Sequence, residues 1–241
     1  KRQDKYGGRV ENRARFLVET IKAVREEVGK DYPLWCRISL FEIFFVGGGK
    51  VAEYGVTLEE TLKQLPLIEA AGVDAINLSA GGFYDYAWQY YTMSPVEAHG
   101  EAPYLGMVEQ VKKVVKVPVM AAARITPEIG EQALKDRKLD FVGMGRKIQA
   151  DPELPNKLAS HREEEIRPCI HYNRCIETLS WGDGVVCEVN PAAGREQEFE
   201  IKPAAKPKKV VIAGGGPAGM EAARVAALRG HQVTLYEKEK K

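Results

Sequence analysis

No apolar run in this sequence approaches the ~20 residues that span a bilayer, and no signal-peptide pattern opens it. A membrane partner or an export route therefore has nothing to rest on. Charge of one sign is lacking too: 35 Lys and Arg offset 34 Asp and Glu, a formal net charge of +1. That balance gives no electrostatic reason to expect nucleic acid or an anionic surface as partner. Cysteine is scarce, with four residues, yet three of them fall between Arg167 and Gly194. So few and so clustered, they argue against a secreted disulfide scaffold and for a metal or redox site in a reducing, by default cytoplasmic, compartment. The rest is ordinary: 44% hydrophobic and 29% charged over 241 residues, enough for one large α/β domain or one and a half smaller ones.

Hydrophobic spacing predicts alternating elements. Phe16, Leu17, Ile21, Val24 and Val28 recur at helical steps over 12–28, and Leu34–Leu40 reads as a short buried strand. Thr57 and Glu60 form a capping box ahead of a second helix over 57–71, followed by a strand at Ala75–Ser79. The pattern repeats with helix 104–115, strand 117–122, helix 127–136 (Thr126 as N-cap, Pro127 first), strand 139–143 and helix 152–161. Such units, read here as repeating without hairpin turns, imply parallel strands joined by crossovers. Four of them fit the C-terminal half of a (β/α)8 barrel, with a doubly wound open sheet as the alternative. Both ends read as cut, so a fragment of a longer polypeptide is expected. The missing half-barrel and the rest of the dinucleotide domain would lie on the same or another chain.

Five stretches carry candidate chemistry. Arg37 interrupts an apolar strand and shares a face with Trp35 and Ser39; it reads as an anchor for an electron-rich ligand, or as a structural ion pair. Ala121–Ile125 (AAARI) and Gly143–Arg146 (GMGR) follow the last two strands, where barrels hold phosphate on backbone N–H groups and an arginine. Gly81–Tyr91 is an aromatic loop, either a packed lid or the source of a tyrosine donor, Tyr84 or Tyr86. Cys169-x5-Cys175-x11-Cys187 is close to iron–sulfur spacing and suits zinc poorly, with Tyr172 and His171 where another cysteine would complete the set. Lys208–Glu237 is an apolar strand, the run Gly214-x-Gly216-x-x-Gly219, an alanine-rich helix, a second strand and an acid placed to bond a ribose hydroxyl.

Taken in order, DKYGGRVENRARF, LWCRISL, VPVMAAARITPE, DFVGMGRKIQADPELPNK, RPCI…NRC…CEVNPAAGRE and the Gly214 fingerprint resemble the multidomain branch of the old yellow enzyme family, which holds 2,4-dienoyl-CoA reductase and trimethylamine dehydrogenase. The resemblance covers essentially the whole chain. It implies residues 1–165 as the second half of an FMN-binding TIM barrel, 166–200 as a cluster segment and linker, and 201–241 as the start of an FAD/dinucleotide-binding domain. Arg37 would contact the flavin N1/O2 edge. The backbone around Ala123 and Arg124, with Gly145 and Arg146, would hold the FMN phosphate. Cys169, Cys175 and Cys187 would carry a 4Fe-4S cluster, with Tyr172 at the fourth-ligand position. Gly214, Gly216, Pro217, Ala218, Gly219 and Glu237 would bind FAD. Electrons would run from NAD(P)H through FAD and the cluster to FMN, then as hydride to an activated C=C bond of a small-molecule substrate such as an enoyl- or dienoyl-CoA. Amine dehydrogenation on the same scaffold, or a non-catalytic relay subunit, are the alternatives, and homo-oligomerisation stays open. Three positions depart from the family pattern: Tyr172 replaces the second cluster cysteine, Ala123 replaces the phosphate-loop glycine, and Gly82-Phe83-Tyr84 stands where dienoyl-CoA reductases place a histidine, leaving Tyr84 as the replacement donor.

Overall fold

The computed structural model describes residues 2–46, 50–81 and 94–239, with side chains at 43–46 and 50–54 excepted. Helix α1 (Val10–Val28) comes first, then strand β1 (Trp35–Ser39), a hairpin of β2 (Glu42–Val46) and β3 (Lys50–Val56), and α2 (Leu58–Glu69). After β4 (Ala75–Ser79) come α3 (Leu105–Lys112), β5 (Val119–Ala121), α4 (Pro127–Lys135) and β6 (Phe141–Val142). Two short helices, α5 (Gly145–Ala150) and α6 (Leu154–Ala159), lead to α7 (Arg174–Trp181) within the cysteine segment. The last unit is β7 (Lys209–Ala213), α8 (Pro217–Leu228) and β8 (Gln232–Tyr236), its two strands parallel.

Strands β1, β4, β5 and β6 lie side by side in that order, all parallel, as crossover helices require. One face of the sheet is apolar. Ile76, Leu78, Val119 and Ala121 point into it and pack with Leu65 and Ile68 of α2, Val108 and Val111 of α3, and Ala133 of α4. Each large side chain so buried contributes about 1.5–3 kcal/mol. The opposite face carries the alternate residues, and one register row crosses it: Arg37, Asn77, Met120 and Phe141. Trp35 at 56% and Phe141 at 51% exposure mark that face as open. It is the face a closed barrel would turn inward.

Side chains finish what the strands leave undone. Thr57 and Thr126 cap their helices as expected, accepting from the amides of Glu60 at 3.3 Å and Ile129 at 3.2 Å; each such cap is worth about 1 kcal/mol. At the N-terminal ends of the strands, three acids bind backbone amides. Asp74 accepts from Leu34 N (2.7 Å) and Arg25; Glu69 from Lys116 N and Val117 N (2.8 and 2.9 Å); Asp140 from Val119 N (2.7 Å) and Lys112. That end of the sheet is tied down for stability. The chemistry-bearing loops all leave from the other end.

One sequence expectation needs correction. The units do not repeat without hairpins, because β2 and β3 pair antiparallel directly after β1. The strands flank Gly47-Gly48-Gly49 and are rich in branched and aromatic residues, a hairpin composition. Arg37 is not in a structural ion pair among the described residues. It is exposed on the open face, donating to Asn77 Oδ1 and Ser79 Oγ, both at 3.2 Å.

Candidate functional site

The loops after β5 and β6 meet. Ala122–Ile125 and Gly143–Lys147, joined by His171, line a cleft with about 150 Å³ of free space. Close approach of the two loops depends on Gly143, where a Cβ would meet Ala122 Cβ at 3.1 Å. Ala123 and Arg124 both have left-handed backbone, φ +84° and +54°, and among the described residues neither amide has a hydrogen-bond acceptor. Consecutive amides in such a turn make an anion-binding concavity. The left-handed conformation costs alanine roughly 1–2 kcal/mol, part of which glycine would return by losing more entropy on folding. Ala123→Gly is therefore expected to stabilise the protein by about 1 kcal/mol, read as a higher denaturation midpoint at unchanged denaturant slope.

The two arginine side chains are engaged within the protein. Arg124, with 2% of its side chain exposed, donates to Gly100 O at 2.6 Å and to Glu97 Oε2 at 2.7 Å. Arg146 donates to Asn173 Oδ1 and to Pro95 O at 3.0 Å. Both guanidinium groups thus brace the 94–100 loop against the cleft and leave the backbone to face an anion. Burial pulls the Arg146 pKa down, and the thiols of Cys169 and Cys175 push it back up. Lys147 adds a third cation to the lining.

Arg146 and His171 also line a second, tighter cavity of about 20 Å³, together with Cys169, Tyr172, Cys175 and Cys187. The three thiols expected to converge do share one pocket. Burial raises the Cys175 pKa, Arg146 lowers it, and Cys169 and Cys187 raise it again, as neighbouring thiolates do. Among the described residues no three His, Cys, Asp or Glu groups stand close enough to bind a single metal ion. In a cluster each thiolate binds a different iron, so the cysteines need not share one ion. The donor set fits an iron–sulfur cluster with three cysteines. Tyr172, at the fourth position, is 68% exposed.

Both ends of this segment are pinned to α5 or its flank. Asp151 accepts from Arg167 N at 2.8 Å, and Asn190 donates to Gln149 O at 2.9 Å. The helix after GMGR therefore carries the cleft on one side and the cysteines on the other. Cys36, the remaining thiol, lies elsewhere, in β1, its pKa raised by burial.

Arg37 lines a further small cavity with Ala122, Ala123 and Tyr104. It shares Ala122 and Ala123 with the cleft. Burial drives the Tyr104 hydroxyl up to about 12, so it stays protonated. Tyr84 and the rest of 82–93 lie outside the described residues.

In the last unit, Gly214 has φ +105°, and a Cβ on Gly219 would sit 2.0 Å from Gly214 O. Gly216 caps α8 and Pro217 takes its first turn. Glu237 Oε2 accepts from Gly215 N at 2.6 Å, which puts the acid at the mouth of the glycine turn. These are the features a pyrophosphate and a ribose need from the motif.

Residues 1–165 match the NADH:flavin oxidoreductase / NADH oxidase family. The chain belongs to that family. Over 98% of its length it is 39% identical to cinnamate reductase of Clostridium sporogenes, and over 99% it is 44% identical to NADH oxidase of Thermoanaerobacter brockii. It spans 36% of the length of each. A solved 2-naphthoyl-CoA reductase, in complex with 2-naphthoyl-CoA, superposes on all of the chain with a TM-score of 0.85 at 36% identity; 36% of that protein is covered. No helix among its described residues is long and apolar enough to cross a membrane.

The sequence reading did not find Asn77, Glu97, Lys147 or Asn173, and it took His171 only as a neighbour of the fourth-ligand position. Lys147 could have been found, being adjacent to GMGR. Glu97 and Asn173 had no local signal, since their partners are 27 residues away in sequence.

Proposed function

We propose that this chain is the second half of an FMN-binding (β/α)8 barrel, a 4Fe-4S segment and the opening of an FAD domain, from an ene-reductase. Electrons would pass from NAD(P)H through FAD and the cluster to FMN. One observation carries the reading: an anion cleft and a three-cysteine pocket share a wall made of Arg146 and His171. A phosphorylated flavin and an electron-transfer cluster are the pair of groups that use such an arrangement.

Bound FMN would supply a hydride to an activated C=C bond. The chain's own residues do the rest. The Ala123–Arg124 turn and the Gly145–Arg146 backbone would hold the phosphate, while the buried Arg124 keeps the turn in shape through Gly100 and Glu97. Arg37, fixed by Asn77 and Ser79, would place a permanent positive charge at the electron-rich N1/O2 edge of the ring. Asn77 is itself held, its Nδ2 lying 3.3 Å from Met120 Sδ. Two of the relatives are named for reducing conjugated carboxyl or acyl-CoA compounds, which supports an α,β-unsaturated acyl compound as substrate.

Losing a hydrogen bond to a charged group costs roughly 1.5–3 kcal/mol, and about 1.4 kcal/mol is 30 mV for a two-electron couple. Arg37→Met should thus make the FMN potential roughly 30–60 mV more negative in a spectroelectrochemical titration. Folding stability should change by no more than about 0.5 kcal/mol, because the side chain lies on the exposed face. The direct test of the activity is anaerobic turnover by the full-length protein with NADH or NADPH and cinnamate or cinnamoyl-CoA. Formation of the saturated product supports the reading; oxidation of methylated amines with no alkene reduction would replace it with the dehydrogenase alternative.

A further inference from the structure

His171 is an anomaly within the cysteine segment. Its side chain is 8% exposed, and its Nδ1 is buried with no hydrogen-bond partner. Glu97 Oε2 lies 3.3 Å away but not in bonding geometry. Leaving such an atom unsatisfied costs about 1–3 kcal/mol, so the ring gains by turning to bring a nitrogen to a ligand in the cleft it lines. The imidazole lines the anion cleft as well as the cysteine pocket. Arg124, Arg146, Lys147 and the Glu97 carboxylate all act on it electrostatically, three cations against one anion. The residue holds a left-handed backbone, φ +53°, that lets the segment turn inward at this point.

We propose that the His171 imidazole donates a hydrogen bond to the phosphate of the bound flavin mononucleotide. The cysteine segment then completes the phosphate site, and cofactor retention depends on that segment being in place. The inference rests on the reading of this cleft as a flavin phosphate site. It adds a ligand contributed from beyond the barrel loops, one that the loop motifs AAARI and GMGR do not contain.

The test is titration of the deflavinated full-length protein with FMN and, separately, with riboflavin, followed by quenching of flavin fluorescence. His171→Gly removes the ring while keeping a residue at ease with positive φ. His171→Asn and His171→Gln each return a side-chain N–H, at the Nδ1 or the Nε2 position. A hydrogen bond to a phosphate oxygen is charge-assisted, so His171→Gly should weaken FMN binding by about 10- to 100-fold. Riboflavin binding should stay within about 2-fold, and one of the two amide variants should recover most of the FMN affinity. Equal weakening of FMN and riboflavin would mean a structural role only, and unchanged FMN affinity would mean no contact; either overturns the proposal. Wild-type protein that binds FMN no better than riboflavin would instead overturn the phosphate reading of the cleft itself.

Discussion

Cys175→Ser protein, purified without oxygen, is expected to carry almost no iron, where the parent is expected to carry roughly four irons and four sulfides per chain. The three thiols already leave no spare ligand, since the fourth position is Tyr172 and the cavity they line holds only about 20 Å³. Serine offers a hard oxygen with a far higher pKa, a poor substitute for a soft thiolate. Burial and the two neighbouring cysteines raise the Cys175 pKa, and Arg146 lowers it. Cys36→Ser is the matched control, because that thiol belongs to β1 and packs against the hydrophobic core. Its iron content should equal the parent's. Iron at the parental level in Cys175→Ser would remove the cluster from the account.

The second large effect falls on the last unit. Gly219→Ala should abolish FAD retention and lower the stability of the β7–α8–β8 unit by about 3 kcal/mol or more. The new Cβ would be 2.0 Å from Gly214 O, a backbone atom that cannot rotate away. Relief requires the strand and helix to separate, and that would open the glycine turn built to receive a pyrophosphate. None of the α8 side chains is fully buried, so little packing energy is available to hold the strained turn closed. FAD released on denaturation and quantified per chain is the measurement. Retention at the parental level would show that this motif does not bind the cofactor.

Much of the scaffold was legible because it depends on local chemistry. Thr57, Thr126 and Pro127 announce helix starts, and short apolar runs between them mark the parallel strands. The Arg37 alternation was readable for the same reason, since strand side chains take opposite faces in turn. Its exposure was not, because exposure depends on what covers the open face rather than on β1 itself. The β2–β3 pairing was not readable, because EIFFV and KVAEYGV lack the strict apolar–polar alternation of a half-buried strand. The acids at the strand ends give no pattern: Asp74 meets Arg25 from 49 residues away, and Glu69 meets Val117 from 48. Within the site, cysteine spacing and the two phosphate-loop motifs were visible, but their common wall was not. Nothing in RPCIHYNRC says that His171 turns toward GMGR. That follows only from the Asp151 and Asn190 anchors that lay the segment across α5.

On the proposed function, FMN at the cleft, a cluster at the cysteine pocket and FAD at the glycine turn would stand in electronic contact within one protein. Anaerobic reductive titration of the full-length protein tests it most directly, with visible spectra recorded at each addition. Two flavins and one cluster predict uptake of about five electron equivalents per chain, with bleaching of the flavin bands and a separate loss of broad absorbance from the cluster. Uptake of about two equivalents, with the spectrum of a single flavin throughout, would contradict the account.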